Sequence, residues 1–168
     1  MKTATACIVY RSAPLRQVLL GRKQYGFGNG KYGGFGGKVE PGEAPEDAAA
    51  RELAEEAGLV ASPADLELVA RLTFLFPYRP AWDHRVFAFW VHRWQGEPRP
   101  SAEMVPCWFD VSELPYDAMW DDARFWLPLV LAGKRFDATF VFRADNDTVD
   151  RAEFQMWPAD GQEAQRAS

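Results

Sequence analysis

The sequence contains little cysteine and little histidine, with two of each among 168 residues. Cys7 and Cys107 both stand among apolar residues, in ACIVY and PCWF, which predicts two buried thiols in a reducing compartment. His84 and His92 fall at the two ends of an apolar segment, and neither has a second histidine or cysteine at ligand spacing. We therefore expect both histidines to be strand-edge residues and not metal ligands.

Long apolar runs and an excess of positive charge are also missing. No run approaches the length of a transmembrane helix, and MKTATACIVY lacks the apolar length and the cleavage region of a signal peptide. The net charge of −5 argues against a nucleic acid polymer as partner, which needs clustered Lys and Arg. We expect a cytoplasmic monomer without a membrane partner. Because the protein is acidic, it would need metal ions to act on a polyphosphate.

Apolar and aromatic residues are abundant, at 48% and 14%, which suffices for the core of one domain. We predict a single domain over residues 1–157 and a flexible polar tail over 158–168. Strands are predicted at 3–10, 17–22, 66–76, 83–94, 104–110, 135–143 and 148–156. Two helices are predicted, one beginning at Pro45 and one over 123–131 that Asp122 is placed to cap. This order predicts an α+β fold, an α/β/α sandwich with a mixed central sheet.

The first helix has clear start and stop signals. Pro45 suits the first turn, where its missing N–H has no partner in any case, and Gly58 suits a C-terminal cap. Ala49, Leu53 and Ala57 recur every four residues and form an apolar stripe. We expect this stripe to pack the helix against the sheet.

The same helix carries three carboxylates close together, Glu52, Glu55 and Glu56. At about 100° per residue they share one narrow face, where like charges repel. A hard divalent cation would remove that repulsion, and Mg²⁺ prefers oxygen ligands. Arg51 pairs naturally with Glu55 at i, i+4. Considered alone, however, the pattern is more typical of a solvated helix face.

Residues 26–37, GFGNGKYGGFGG, are more than half glycine. Phe27, Tyr32 and Phe35 are spaced through the segment and would anchor it. Glycine allows close backbone approach to a ligand and positive φ. The segment is not a P-loop, because no G-x4-G-K-[ST] leads into a helix.

Residues 37–59 read G-x5-E-x7-R-E-L-x-E-E-x-G-L. This spacing matches the Nudix box in full, and the upstream Gly37 and Glu43 make a solvated face a poor account of it. The resemblance covers about residues 3–155. The runs VLLGRKQYGFGNGKYGGFGGKVEPGE, EMVPCWF, MWDDARFWLP and FDATFVFRADNDTVD resemble the mammalian MutT-type Nudix enzymes, the oxidised purine nucleoside triphosphate or 8-oxo-dGTP diphosphatases. The Nudix α/β/α sandwich, with the box helix on the sheet, is the fold this implies.

The resemblance implies Mg²⁺-dependent hydrolysis of oxidised purine nucleoside triphosphates to the monophosphate and pyrophosphate, with Mn²⁺ as a substitute cation. Such a reaction removes oxidised nucleotides from the nucleotide pool and so avoids DNA damage. The implied metal ligands are Gly36 through its carbonyl, Glu52, Glu55, Glu56 and Glu103. The implied catalytic residues are Glu52, Glu56 and Glu103.

The resemblance also implies a substrate site. Lys23 and Lys38 would contact phosphate or line the site, and Trp120 would stack on the base, which is sound because every purine offers a π-face. The complete implied set is Thr5, Lys23, Phe27, Gly33, Phe35, Gly36, Gly37, Lys38, Trp120 and Asp122.

The chain departs from this family at the base-reading positions. Gly33 stands where the family has an asparagine, and Trp120-Asp121-Asp122-Ala123 stands where it has Trp-Pro-Asp-Asp. Without gaps, Asp122 matches the first aspartate and Ala123 replaces the second; two compensating gaps would instead restore the pair as Asp121 and Asp122. A pocket that loses hydrogen-bonding partners loses discrimination. We therefore expect an altered or broader base preference.

Two other functions remain open at this point. One is hydrolysis of another nucleoside diphosphate derivative, such as ADP-ribose, a cap or a dinucleotide, which the likeness around Trp120 argues against. The other is a nucleotide-sensing Nudix domain without turnover, which the complete box argues against.

Overall fold

A computed structural model describes residues 1–158 of the chain. The eight strands are, in chain order, β1 (Lys2–Arg11), β2 (Gln17–Lys23), β3 (Tyr32–Gly33), β4 (Glu67–Leu75), β5 (His84–Val91), β6 (Met104–Asp110), β7 (Phe136–Phe142) and β8 (Val149–Met156). The two α-helices are α1 (Pro45–Ala57) and α2 (Ala123–Leu131). Seven of these strands match the predicted segments within a few residues. The short β3 lies in the glycine-rich segment and was not predicted.

All eight strands belong to one mixed sheet. Its order is β3-β2-β1-β5-β4-β7-β8, and β6 pairs with β2. β1 runs parallel to β5 and β4 parallel to β7, while the other pairs are antiparallel. The predicted hairpins β1–β2 and β7–β8 both form. The mixed sheet and the α+β class are therefore confirmed.

Each helix covers a different face of the sheet. Leu53 and Ala57 of α1 pack with Cys7 and Phe35 in one buried cluster. Trp126 and other residues of α2 pack in a second cluster against the opposite face. Because successive residues of a strand point to opposite faces, β1 contributes Cys7 to the first cluster and Ile8 to the second.

The predicted signals of α1 are present in the structure. The helix begins at Pro45, and Gly58 closes it in the left-handed conformation, with φ 72° and its N–H donated to the Ala54 carbonyl. Ala49, Leu53 and Ala57 are fully buried. The apolar stripe therefore fixes which side of α1 faces the sheet and which side carries the glutamates.

Two local predictions were wrong. Cys107 is exposed, because it lies on the edge strand β6 and points to the sheet face opposite Met104, which packs in the α1 cluster. Asp122 does not cap α2. It has helical dihedral angles, and its Oδ2 accepts a hydrogen bond from Trp126 Nε1 at 2.8 Å instead.

Two expectations concern the extent of the chain. The single domain over residues 1–157 stays a prediction, in keeping with one sheet that runs from Lys2 to Met156. The flexible tail predicted over 158–168 lies, apart from Pro158, outside the described residues. Among residues 1–158, neither helix is long and apolar enough to cross a membrane.

Candidate active site

Three glutamates from two elements meet beside the glycine-rich segment. Glu52 and Glu56 lie one turn apart on α1, and Glu103 immediately precedes β6. One carboxylate oxygen from each lies within 4.8 Å of the others. Glu103 is about fifty residues away from the other two in sequence. It lies beside them in space because β6 pairs with β2 and packs with α1 on the same face of the sheet. We call these three residues the carboxylate cluster.

Glu56 is the most buried member of the carboxylate cluster, with 2% of its surface exposed. Its Oε1 accepts a hydrogen bond from the Gly36 N–H at 2.8 Å. Burial, followed by the neighbouring Glu103, raises the pKa of Glu56 to about 8. Desolvation penalises the charged form of a carboxyl. Glu56 therefore keeps a proton near neutral pH unless a cation takes that proton's place.

The other two members of the cluster have cationic partners. Lys23 Nζ lies 2.8 Å from Glu103 Oε1 and lowers the pKa of Glu103. Arg51 Nη1 lies 2.9 Å from Glu52 Oε1. Burial is nevertheless the larger effect on Glu52, and its pKa is raised. The cluster thus combines one ionised carboxylate with two whose charged forms are disfavoured by burial.

Arg51 links the carboxylate cluster to Glu43, in the loop before α1. Its Nε and Nη2 lie 2.9 Å and 3.0 Å from the two carboxylate oxygens of Glu43, and this pairing lowers the pKa of Glu43 to about 2. The predicted pair with Glu55 is present but longer, at 3.7 Å. The bidentate Arg–carboxylate geometry makes Glu43 the main partner, and it ties the loop before α1 to the helix.

Close backbone packing explains two glycines of the segment. A Cβ on Gly36 would lie 1.8 Å from the Thr5 carbonyl oxygen, and one on Gly37 would lie 2.5 Å from Glu52 Cδ. Any side chain would push the segment off β1 or displace a glutamate. These glycines therefore place the Gly36 N–H at Glu56.

A cleft of about 670 Å³ opens over the carboxylate cluster. It is lined by eight predicted site residues, namely Lys23, Phe27, Gly36, Gly37, Lys38, Glu52, Glu55 and Glu103. Glu55 lies at its exposed rim, with 60% of its side chain accessible. Trp82 and His84 also line the cleft. Positive and negative side chains share this cleft, an arrangement able to hold phosphates together with a cation.

A second, mostly apolar cavity of about 150 Å³ adjoins the cleft and shares Phe27 and His84 with it. Its lining is Ala6, Phe27, Leu72, Phe74, Phe76, His84, Val86, Trp120, Asp122, Trp126 and Phe142. We call it the aromatic pocket. Phe27 stacks on Trp120, with ring centroids 5.1 Å apart and planes 22° from parallel. The pocket is thus built from residues that lie far apart in sequence.

Asp122 and Asp121 have different surroundings. Asp122 is 6% exposed, lines the aromatic pocket, and has a pKa raised to about 6, chiefly by burial. Asp121 Oδ2 instead accepts the Val149 N–H at 2.8 Å, and its Oδ1 accepts from Arg124 Nε at 2.9 Å. One aspartate of the two therefore faces the pocket, which agrees with the gap-free alignment.

Three predicted substrate residues lie outside both cavities. Thr5 is buried, and its Oγ1 lies 3.4 Å from the Gly37 carbonyl; its neighbour Ala6 lines the aromatic pocket instead. Phe35 is fully buried in the α1 cluster. Gly33 lies in β3, and a Cβ added there would meet nothing within 4 Å.

Sequence reasoning missed several residues of the aromatic pocket. His84 was expected at a strand edge, but it lines both cavities. Phe74, Phe76 and Trp126 belong to no motif that would single them out in the sequence. Alternation along β4 places Leu72 and Phe74 on one face, and Phe76, just after the strand, continues the pattern. This was a usable signal, but that Trp120 packs on the same face depends on the fold.

The comparisons with known proteins agree with this geometry. The model of the NUDIX domain matches residues 1–130. The chain belongs to the Nudix family. It is 44% identical over 136 residues to the mouse oxidized purine nucleoside triphosphate hydrolase, covering 80% of this chain and 83% of that protein. The zebrafish protein of the same name is 42% identical over 135 residues, covering 80% and 84%.

A solved structure of a relative supports the fold. The MutT protein from Bacillus halodurans superposes with a TM-score of 0.77 over 92% of this chain and 98% of that chain, at 24% identity. Such identity speaks for the fold alone. The predicted Nudix sandwich is therefore confirmed. The roles of individual site residues stay predictions.

The carboxylate cluster fits the divalent cation on which Nudix hydrolases generally depend. Its donors are all carboxylate oxygens, which hard cations prefer. The raised pKa of the buried Glu56 marks a site that a positive charge would stabilise. Glu52, Glu56 and Glu103 would hold such a cation, with Glu55 at the rim.

Proposed function

We propose that this Nudix hydrolase is a Mg²⁺-dependent pyrophosphohydrolase of oxidised purine nucleoside triphosphates, which it converts to the monophosphate and pyrophosphate. One observation carries the proposal: a cleft that is lined by both lysines and glutamates and is large enough for a polyphosphate adjoins an aromatic pocket suited to a flat base. The names of the mouse and zebrafish relatives support the oxidised purine as substrate. Removing such nucleotides would keep them out of DNA.

The phosphates would lie in the cleft over the carboxylate cluster. Lys23 and Lys38 line it and would contact phosphate oxygens. When bound, Mg²⁺ neutralises phosphate charge and activates water as a nucleophile, a role that Mn²⁺ can fill. Glu103 has a lowered pKa beside Lys23, so it is ionised, as a carboxylate that accepts a proton from the attacking water must be. Attack by this water breaks a P–O bond of the anhydride that joins the α- and β-phosphates, and the products are the monophosphate and pyrophosphate.

The base would enter the aromatic pocket. Trp120 would stack on it, while Asp122 offers the base a carboxyl group. Phe27 already stacks on Trp120 and is 47% exposed, so a base that stacks there must part the two rings. Gly26 and Gly28, both at positive φ, flank Phe27 and give its loop the freedom to open.

The base preference follows from the departures in the pocket. With Gly33 and Ala123 in place of two hydrogen-bonding residues of the family, fewer groups fix the orientation of the base. A base lacking fixed partners is less sharply selected. We propose an altered or broader preference among purines.

We further propose that the enzyme acts as a cytoplasmic monomer on a small nucleotide. Two free thiols, Cys7 and Cys107, are typical of a reducing compartment. Gel filtration coupled to light scattering measures the mass directly. A dimer at micromolar concentration would contradict the monomer.

A nucleotide panel tests the proposed function. Purified enzyme with Mg²⁺ is given 8-oxo-dGTP, dGTP, 8-oxo-dATP, dATP, ADP-ribose and a dinucleoside tetraphosphate. Pyrophosphate and orthophosphate are assayed separately, and the nucleotide products are separated by chromatography. The proposal expects pyrophosphate from the triphosphates, fastest from an oxidised purine. Preferred turnover of ADP-ribose or the dinucleotide would overturn it. Binding without any turnover would favour a sensor.

A further inference from the structure

The aromatic pocket has two polar side chains in its lining, His84 and Asp122. Apart from the indole N–H groups of Trp120 and Trp126, the rest of the lining is apolar. In pockets of this kind a small number of polar groups fixes the orientation of the ligand. Asp122 Oδ2 is already bonded to Trp126 Nε1, which leaves Oδ1. His84 is therefore a principal hydrogen-bonding group that the pocket offers a base.

The His84 ring is held in one orientation. It stacks on Phe74, with centroids 4.9 Å apart and planes 27° from parallel, and Phe27 meets it edge-on at 6.1 Å. Its Nδ1 lies 2.7 Å from the Trp82 carbonyl oxygen. Three neighbours on different sides thus restrain the ring, and it occupies the border between the aromatic pocket and the cleft over the carboxylate cluster.

This hydrogen bond also sets the tautomer. A carbonyl oxygen only accepts, so Nδ1 carries the proton. In the neutral ring Nε2 then has a lone pair and acts as an acceptor. Burial lowers the pKa of His84, which favours the neutral ring. Within residues 1–158, Nδ1 makes the one hydrogen bond of this side chain.

We propose that His84 is a specificity-determining residue whose Nε2 accepts a hydrogen bond from an N–H group on the edge of the base. The proposal rests on the proposed function and adds a residue for which neither motif nor comparison assigns a role. It places one base-reading group on β5. Gly33 and Ala123, by contrast, are the two positions at which the family's hydrogen-bonding residues are missing.

The chemistry of purine oxidation identifies the preferred ligand. Oxidation at C8 puts a hydrogen on N7, whereas an unoxidised purine has a lone pair at N7. An acceptor such as Nε2 attracts the first and repels the second, and buried unpaired acceptors are costly. His84 would therefore favour 8-oxopurines over the corresponding unoxidised purines, while Asp122 offers the same group to both.

The test compares His84→Phe with His84→Gln. Phenylalanine keeps a ring on Phe74 but has no acceptor, and glutamine restores an acceptor without the ring. We expect His84→Phe to lower the ratio of kcat/KM for 8-oxo-dGTP over dGTP about tenfold, the equivalent of one neutral hydrogen bond. His84→Gln should recover part of the ratio. An unchanged ratio in His84→Phe overturns the proposal.

A second measurement needs no variant. In 7-deaza-dGTP a C–H group replaces N7, so the lone pair that opposes Nε2 is gone. The unsubstituted enzyme should hydrolyse 7-deaza-dGTP at least as efficiently as dGTP. A lower kcat/KM for the 7-deaza compound overturns the role of His84 even if His84→Phe fails to fold. No pyrophosphate from any triphosphate would instead overturn the proposed function, so the two failures are distinguishable.

Discussion

The carboxylate cluster and the aromatic pocket are adjacent but built differently. The cluster draws Glu52 and Glu56 from one helix and adds one residue, Glu103, from the position just before β6. The aromatic pocket draws on β1, β4, β5, β7, α2 and the loops beside them. A site on one helix has a fixed spacing in sequence, whereas a pocket between many elements has none. The chemistry of the reaction is therefore far more legible in the sequence than the choice of substrate.

The largest expected effect lies in the cluster. Glu56→Gln keeps the shape of the side chain but removes the charge that would face a cation, so kcat should fall roughly 10²–10⁴-fold. Pyrophosphate release under saturating Mg²⁺ measures it. The matched control is Glu55→Gln, at the exposed rim, which should cost much less. Comparable losses of kcat in both variants would show that the buried Glu56 and the exposed Glu55 do not differ in their contribution to the reaction.

A smaller effect is expected in the pocket. Trp120→Ala removes the stacking surface, and stacking contributes about 1–3 kcal/mol per base. We expect kcat/KM to fall about 10–100-fold for oxidised and normal purines alike, because both offer a π-face. Trp120→Phe should retain most of the activity. If Trp120→Ala retains the activity of the unsubstituted enzyme, the base does not stack there.

The pocket aspartate should give a pH-dependent signature. The pKa of Asp122 is raised to about 6 in the folded protein, above that of an unfolded aspartate. Below both values the side chain is neutral in both states. As pH rises from about 4 to 6, the unfolded chain ionises first, so the protonated carboxyl contributes stability that is progressively lost, by about 2–3 kcal/mol.

Asp122→Asn isolates this contribution. The amide does not titrate, and its oxygen can still accept from Trp126 Nε1. Urea denaturation of both proteins at pH 4, 5, 6 and 7 gives the difference in the free energy of unfolding. That difference should shift in favour of Asp122→Asn as pH rises and level off above about pH 6. Parallel stability profiles would contradict a buried, titrating Asp122.

The fold was largely predictable because its signals are local. Pro45, Gly58 and the stripe through Leu53 defined α1, and period-two alternation defined most strands. The pairing of β6 with β2, which brings Glu103 to α1, depends on contacts across the whole chain. Thr5 shows how a one-residue offset changes a prediction. Its side chain bonds to Gly37, whereas the side chain of the next residue along β1 lines the aromatic pocket.

The smallest effect concerns a residue of the family that this chain lacks. Gly33→Asn adds an amide where an added Cβ meets nothing within 4 Å, so the substitution should fold. The ratio of kcat/KM for 8-oxo-dGTP over dGTP should change up to about tenfold, the equivalent of one hydrogen bond. Gly33→Ala, with a Cβ but no amide, is the control. Equal ratios in both variants would separate Gly33 from base selection.

The division between reaction and selectivity is the central claim, and one ratio tests it. We would measure kcat/KM for 8-oxo-dGTP and for dGTP in the unsubstituted enzyme, Glu103→Gln and Asp122→Asn. We predict that Glu103→Gln lowers both values by the same factor and leaves their ratio unchanged, while Asp122→Asn changes the ratio. If the ratio moves as far in Glu103→Gln as in Asp122→Asn, reaction and selectivity are not divided between the two sites.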